Sequence, residues 1–312
     1  MFKDWLSEMR VKSLLLASTN CGVGCGLGYY YGKVTIYSLI VGFLVVVTGV
    51  LLQILSNFAD DYGDALKKAD GPNRLGPIRA VMIGSISLTS LRKSLVTVTL
   101  MSCTTGIVAL LMAIGSDFHL LSWFIFIGVM AILAAICYTI GVAYGYMGFG
   151  DIAVFIFFGL AAVIGSQILV LGSCGVGVDV FPDTYLLACA IGLHSIMVLL
   201  VASMRDITED RLSGKKTIPA RLGPKKSAVY LLILFTVSAF LSMLACIQSH
   251  KLWESVIVAV ALMPLAASTY RTVIHCEEEA KIAKERKFCL IGCAIHNIAW
   301  MLILSIDFWV YY

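Results

Sequence analysis

The sequence is short of charge. Asp, Glu, Lys and Arg make up only 13% of its 312 residues, against about 25% in a soluble globular domain. So low a content leaves most of the chain without a water-facing surface. Histidine is scarce and scattered, at His119, His194, His250, His275 and His296, and no role is expected for any of them. Ten cysteines are present, but neither i, i+4 pair (Cys21/Cys25, Cys289/Cys293) is joined by a histidine or a second pair, so no thiolate metal site is expected. Strict alternation of polar and apolar residues is also missing, which excludes a membrane β-barrel. The net charge of +4 by itself says little, and no nucleic-acid partner is expected.

What is present instead is hydrophobicity in blocks. Apolar residues account for 60% of the chain and gather in runs of about 20, the length of helix that crosses a bilayer core of about 30 Å. The fold class is therefore all-α, a polytopic membrane helical bundle in one domain over 1–312. Nine spans are predicted: Ser13–Gly32, Val34–Ser56, Ser94–Ile114, Leu120–Ile140, Ile152–Leu171, Thr184–Met204, Ser227–Gln248, Leu252–Tyr270 and Cys289–Tyr312. The basic start, Met1–Lys12, imitates a signal peptide, but no small-residue cleavage site ends the apolar stretch that follows it, so it reads as the approach to the first helix. With the N-terminus cytoplasmic, 21 Lys and Arg fall on that side and only Lys33 and Lys251 on the other. That asymmetry predicts a cytoplasmic N-terminus, cytoplasmic long loops and an opposite-side C-terminus in the cell (inner) membrane.

Two acidic clusters open the two long loops. The first runs Asn57-Phe58-Ala59-Asp60-Asp61-Tyr62-Gly63-Asp64. If the helix continues, Asn57, Asp60, Asp61 and Asp64 share a face, and carboxylates so placed repel unless a cation neutralises them. The second has Asp206 and Asp210 at i, i+4. All-oxygen donors suit Mg²⁺, which takes one or two carboxylates, keeps several waters and binds substrate phosphates. The expected ligand is a phosphate ester, best a diphosphate. Arg74, Arg79, Arg205, Lys215, Lys216 and Arg221 stand beside the clusters and suit the remaining phosphate oxygens. A glycine-rich turn between the fourth and fifth spans carries Tyr138, Tyr144 and Tyr146, whose ring faces suit an aromatic ring or a carbocation.

These stretches resemble the UbiA superfamily of intramembrane prenyltransferases. The resemblance runs through Asp60-Asp61-Tyr62-Gly63-Asp64 with Arg74-Leu75-Gly76-Pro77, through Tyr144-Gly145-Tyr146 with Gly148-Phe149-Gly150-Asp151, and through Arg205-Asp206-Ile207 with Asp210-Arg211 and Gly214-Lys215-Lys216-Thr217. It departs from the family at Asp60, where Asn is usual, at Ala202 and Ser203, where asparagines are common, and ahead of Tyr144, where an Arg-Pro pair is usual. The resemblance implies nine helices around a central cavity open to membrane lipid. It implies Mg²⁺ on Asp60, Asp61, Asp64, Asp206 and Asp210, with a polyprenyl diphosphate held by these, by Asn57 and by the basic residues. Tyr138, Tyr144, Tyr146 and Asp151 would then face the acceptor or the cation. The branch it looks most like acts on 1,4-dihydroxy-2-naphthoate in menaquinone biosynthesis, and 4-hydroxybenzoate, homogentisate or a porphyrin are alternative acceptors.

Two other classes fit less well. The CDP-alcohol phosphotransferases require an Asp-Gly-x-x-Ala-Arg core that neither cluster contains. An ion-coupled transporter would place ionisable groups near the bilayer midplane, whereas these carboxylates sit at span ends.

Overall fold

In the computed structural model, residues 2–67, 75–76, 79–249 and 252–311 are described. Among these residues every regular element is a helix. A short α1 (Phe2–Glu8) leads into α2 (Val11–Tyr31), α3 (Ile36–Lys67), α4 (Leu88–Ile114) and α5 (Phe118–Cys137). Next come α6 (Gly150–Ser173) and α7 (Pro182–Arg205), then the short α8 (Ile207–Leu212) and α9 (Ile218–Leu222). The chain closes with α10 (Pro224–Ser249), α11 (Leu252–Ile274) and α12 (Glu279–Tyr311).

Eight of these helices are long and apolar enough to cross a membrane, and the chain is a multi-pass membrane protein. The predicted first span corresponds to α2, which is long enough at 21 residues but is not among the eight. Its polarity follows from its position. Asn20, fully buried, donates to the Phe158 carbonyl (2.9 Å) and to Ser195 Oγ (3.1 Å). It accepts in turn from Asn297 Nδ2 at 2.7 Å. His296 extends the same network to Ser242 at 2.7 Å. A helix surrounded by other helices needs partners for its polar groups rather than lipid-compatible side chains.

The largest core cluster joins α2, α6, α7, α10, α11 and α12, and 67% of the membrane window of α7 is buried. Close packing of α6 on α7 rests on two glycines. A Cβ on Gly159 would lie 2.6 Å from the Gly192 Cα. Around Gly159 the chain widens into a π-helical stretch, Phe155–Ala161, and the bond from Asn20 satisfies one of its carbonyls. At the other extreme α5 has no buried residue. It packs on α3 and α4 and forms an outer wall, with Trp123, Phe126 and Val129 exposed.

Two helices run well beyond the predicted spans on the side of the acidic loops and the basic tail. The second span was expected to end at Ser56, but α3 runs on to Lys67. The last span was expected from Cys289, but α12 begins at Glu279. Hydropathy marks the part of a helix in lipid, whereas intrahelical hydrogen bonding continues beyond it. At 1.5 Å per residue, the 32 residues of α3 span about 48 Å. That exceeds a hydrocarbon core of about 30 Å, so the Asp60–Asp64 turn projects past it.

Candidate active site

The acidic end of α3 is fixed by a close helix contact. A Cβ on Gly63 would fall 2.5 Å from Thr139 Oγ1 at the end of α5, so this position in the Asp-Asp-Tyr-Gly-Asp run has room for hydrogen alone. Thr139 donates its hydroxyl to the Ala59 carbonyl (2.8 Å), and Lys67 Nζ donates to the Thr139 carbonyl (2.8 Å). A second brace comes from the N-terminus. Asn57 Nδ2 donates to the Met9 carbonyl (2.9 Å) and to Ser13 Oγ (3.2 Å), while Gln53 supports Asn57 Oδ1 at 2.9 Å. Between α1 and α2, Arg10 adopts a left-handed conformation (φ 49°) and carries its guanidinium to both Asp60 and Asp61.

The second cluster has a different backbone. The helix breaks at Asp206 (φ −106°) and resumes as α8. The pair therefore does not ride one continuous helix as its spacing suggests. A hydrogen bond from the Asp210 amide to the Asp206 carbonyl (2.8 Å) still keeps them one turn apart. Arg205 donates through Nε to Asp206 Oδ1 (2.6 Å). Thr217, the N-cap of α9, donates to Asp210 Oδ2 (2.7 Å). Burial pushes the Asp210 carboxyl up to about 6, against the Thr217 bond, which lowers it.

Both clusters open into one cavity of about 450 Å³, lined by Asn57, Asp60, Asp64, Asp206 and Asp210 at its polar end. Away from them the walls are apolar or small, with Leu16, Val45, Leu110, Phe124, Phe157 and Leu169 among the lining residues. Lys215 crosses between the clusters. Its Nζ lies 3.1 and 3.2 Å from the two Asp64 oxygens and 4.7 Å from the centre of the Tyr146 ring. Tyr146 donates its hydroxyl to Asp64, and burial together with that carboxylate raises the phenol above its ordinary range. Lys67 lies over the same ring at 4.2 Å. Tyr138 and Tyr144 also line the cavity and meet edge to face at 5.4 Å.

Several residues singled out in the sequence lie elsewhere. Asp61 is 1% exposed and not among the cavity-lining residues. It faces Arg10 and Arg79, with Arg79 Nε at 3.0 Å. It stands about 100° around the helix from Asp60 but only about 40° from Asn57, at the edge of the shared face, where the two arginines take it. Lys216 is exposed and binds through its amide to the Tyr146 carbonyl (2.7 Å). Arg221 donates to the Met147 carbonyl (2.5 Å). These two contacts clamp the tyrosine turn to the second loop. Asp151 accepts from Tyr230 at 3.0 Å and does not line the cavity. Arg74 lies outside the described residues. Arg79 and Arg205 do line the cavity, as do Arg10 and Arg286, two arginines that the sequence shows only as part of the loop charge bias.

Among the described residues no three His, Cys, Asp or Glu side chains close around one point as a preformed metal cage. The donor set still fits a hard divalent cation. It offers carboxylate oxygens in two pairs across a cavity, and such an ion completes its shell with water and phosphate oxygens.

Comparison with known proteins places this arrangement. Residues 15–292 match the UbiA prenyltransferase family. A 1,4-dihydroxy-2-naphthoate octaprenyltransferase of Haemophilus influenzae is 36% identical over 282 residues, 89% of this chain and 87% of that one. The protein of the same name from Escherichia coli is 32% identical over 307 residues, 98% and 96% of the two chains. Among solved structures, a UbiA homolog from Aeropyrum pernix superposes with a TM-score of 0.71 at 15% identity, covering 94% of this chain and 98% of its own. A UbiA homolog from Archaeoglobus fulgidus bound to DMAPP and Mg²⁺ gives 0.58 at 14% identity, covering 98% and 99%. With the family match spanning most of its length, this chain belongs to the UbiA prenyltransferase family.

Proposed function

We propose that the chain, as one catalytic unit over 1–312, transfers a polyprenyl group from polyprenyl diphosphate to 1,4-dihydroxy-2-naphthoate with decarboxylation, giving demethylmenaquinol for menaquinone biosynthesis. The observation that carries this reading is the single cavity in which Asp60 and Asp64 face Asp206 and Asp210 at one end while apolar walls occupy the rest. Naphthoate octaprenyltransferases 32% and 36% identical over nearly the whole chain support the choice of acceptor.

In this reading Asp60 and Asp64 on α3, with Asp206 and Asp210 beyond α7, hold Mg²⁺ and through it the diphosphate. Bound Mg²⁺ neutralises charge that grows on the departing diphosphate. Arg10, Arg79, Arg205 and Lys215 surround the same space and donate to phosphate oxygens. Asp61 takes a different part: it fixes Arg10 and Arg79 where they line the cavity. The allylic C–O bond breaks with its electron pair leaving on the diphosphate. A new C–C bond forms at the ring carbon bearing the carboxylate, and that carboxyl leaves as carbon dioxide, returning its bonding pair to the ring. Tyr138, Tyr144 and Tyr146 offer ring faces that stabilise an allylic cation. The apolar walls keep out the water that would otherwise capture it.

The same reading puts the polar end of the cavity in the cytoplasm, with the N-terminus on that side and the C-terminus opposite, in the inner membrane. The 21 Lys and Arg on that face support this orientation.

Purified protein in detergent, given Mg²⁺, geranyl diphosphate and either 1,4-dihydroxy-2-naphthoate or 4-hydroxybenzoate, tests it by mass spectrometry of the products. A decarboxylated prenyl naphthoquinone from the first acceptor alone is expected. Product from the second alone would reassign the acceptor, and no product from either would sink the reading.

A further inference from the structure

The cavity-lining cations differ in one respect. Arg10 is bound to Asp60 and Asp61, Arg205 to Asp206 and Lys215 to Asp64. Arg286, on the second turn of α12, lines the same cavity and, among the described residues, makes no hydrogen bond or ion pair; its Nε is buried without a partner. The charges that act on it most strongly are chiefly of its own sign, Arg10, Arg205 and Arg79, with Asp206 opposing them. Leu290, one turn deeper on the same face, lines the cavity too, so this face of α12 turns inward. An unpaired guanidinium held among three others is costly unless an anion joins it. The paired cations divide their charge between protein carboxylates and a ligand, whereas Arg286 has no protein carboxylate bound to it among the described residues.

Building on the prenyl-transfer reading, we propose that Arg286 is the free cation of an oxyanion subsite at the corner where α12 meets α2, binding a substrate carboxylate or phosphate oxygen. The guanidinium fork suits either group. The two sources separate by experiment. Thermal midpoints of wild type, Arg286→Met and Arg286→Lys are measured with Mg²⁺, first without ligand, then with geranyl thiodiphosphate alone, then with 1-hydroxy-2-naphthoate alone. KM for each true substrate is measured alongside. Without ligand, Arg286→Met is expected to melt no lower than wild type, because it loses repulsion from its neighbours. It should lose most of the midpoint shift for one ligand, and KM for the matching substrate should rise about ten- to a hundredfold, the scale of a lost charged hydrogen bond. Arg286→Lys should recover part of both. Loss toward the naphthoate assigns a carboxylate, and loss toward the diphosphate assigns a phosphate. Wild-type shifts and KM values in Arg286→Met would overturn the proposal. So would a lowered ligand-free midpoint with both shifts lost, which marks a structural residue. A wild-type protein stabilised by neither ligand would instead sink the prenyl-transfer reading, and this assignment with it.

Discussion

On α3 the carboxylates ride an unbroken helix and reach partners far away in the chain. Asp60 meets Arg10 across 50 residues and Asp64 meets Lys215 across 151. Beyond α7 the helix breaks, and the acids are served locally. Asp206 is held by its neighbour Arg205, and Asp210 by Thr217 seven residues on. The α3 cluster is thus a product of the whole fold, while the second cluster is largely built from its own loop. Damage near α3 should spread through the structure, and damage in the second loop should stay with binding and chemistry.

The largest expected effect ignores that distinction and so checks its base. Asp64→Ala and Asp206→Ala should each reduce turnover about a thousandfold or more, the several kcal/mol that a metal-held leaving group contributes; chelation of Mg²⁺ should do the same to wild type. Steady-state rates in detergent decide it, and near-wild-type turnover in either variant would remove that residue from the metal set. Asp61→Asn then separates the regions. It removes the carboxylate that Arg10 and Arg79 share in a buried setting, Arg10 keeping Asp60, at about 3 kcal/mol of stability. The thermal midpoint should fall steeply in this variant and barely move in Asp206→Asn. Equal midpoints would show that both clusters are local. Gly63→Val tests the packing beneath the first cluster. Overpacking against Thr139 should cost about 1–3 kcal/mol, and a midpoint equal to wild type would show that α3 and α5 part freely. Tyr146→Phe is the mildest. Losing one hydroxyl bond to the Asp64 carboxylate, about 1.5 kcal/mol, should slow turnover about tenfold with a nearly unchanged midpoint.

Sequence showed the spans and the acid pairs because both are local patterns. Blocks of apolar residues set helix number, and i, i+3, i+4 spacing put Asp60 and Asp64 on one face. What it hid depends on rotation and distance. Asp61 has the same spacing as its neighbours, yet it sits at the edge of their face, where Arg10 and Arg79 take it. Arg10 and Arg286 looked like two more members of a cytoplasmic charge bias, since only tertiary packing brings their guanidiniums to the cavity. The polarity of α2 is compatible with a membrane span because Asn20, Asn297 and Ser195 satisfy one another across three helices. The break at Asp206 had no warning from a Pro or Gly in the run Met204-Arg205-Asp206-Ile207.

The long reach of Lys215 also sets an order of assembly. As the chain is made, Arg10 precedes Asp60 and Asp61 and is ready for them when α3 forms. Asp64 must wait for Tyr146, 82 residues later, and then for Lys215. Until the second loop is translated, the first half carries at its helix end a carboxylate that has Tyr146 but not its lysine. A chain cut in the link between α6 and α7 should therefore give two fragments that are stable only when made together, and each half acts as the other's completion signal.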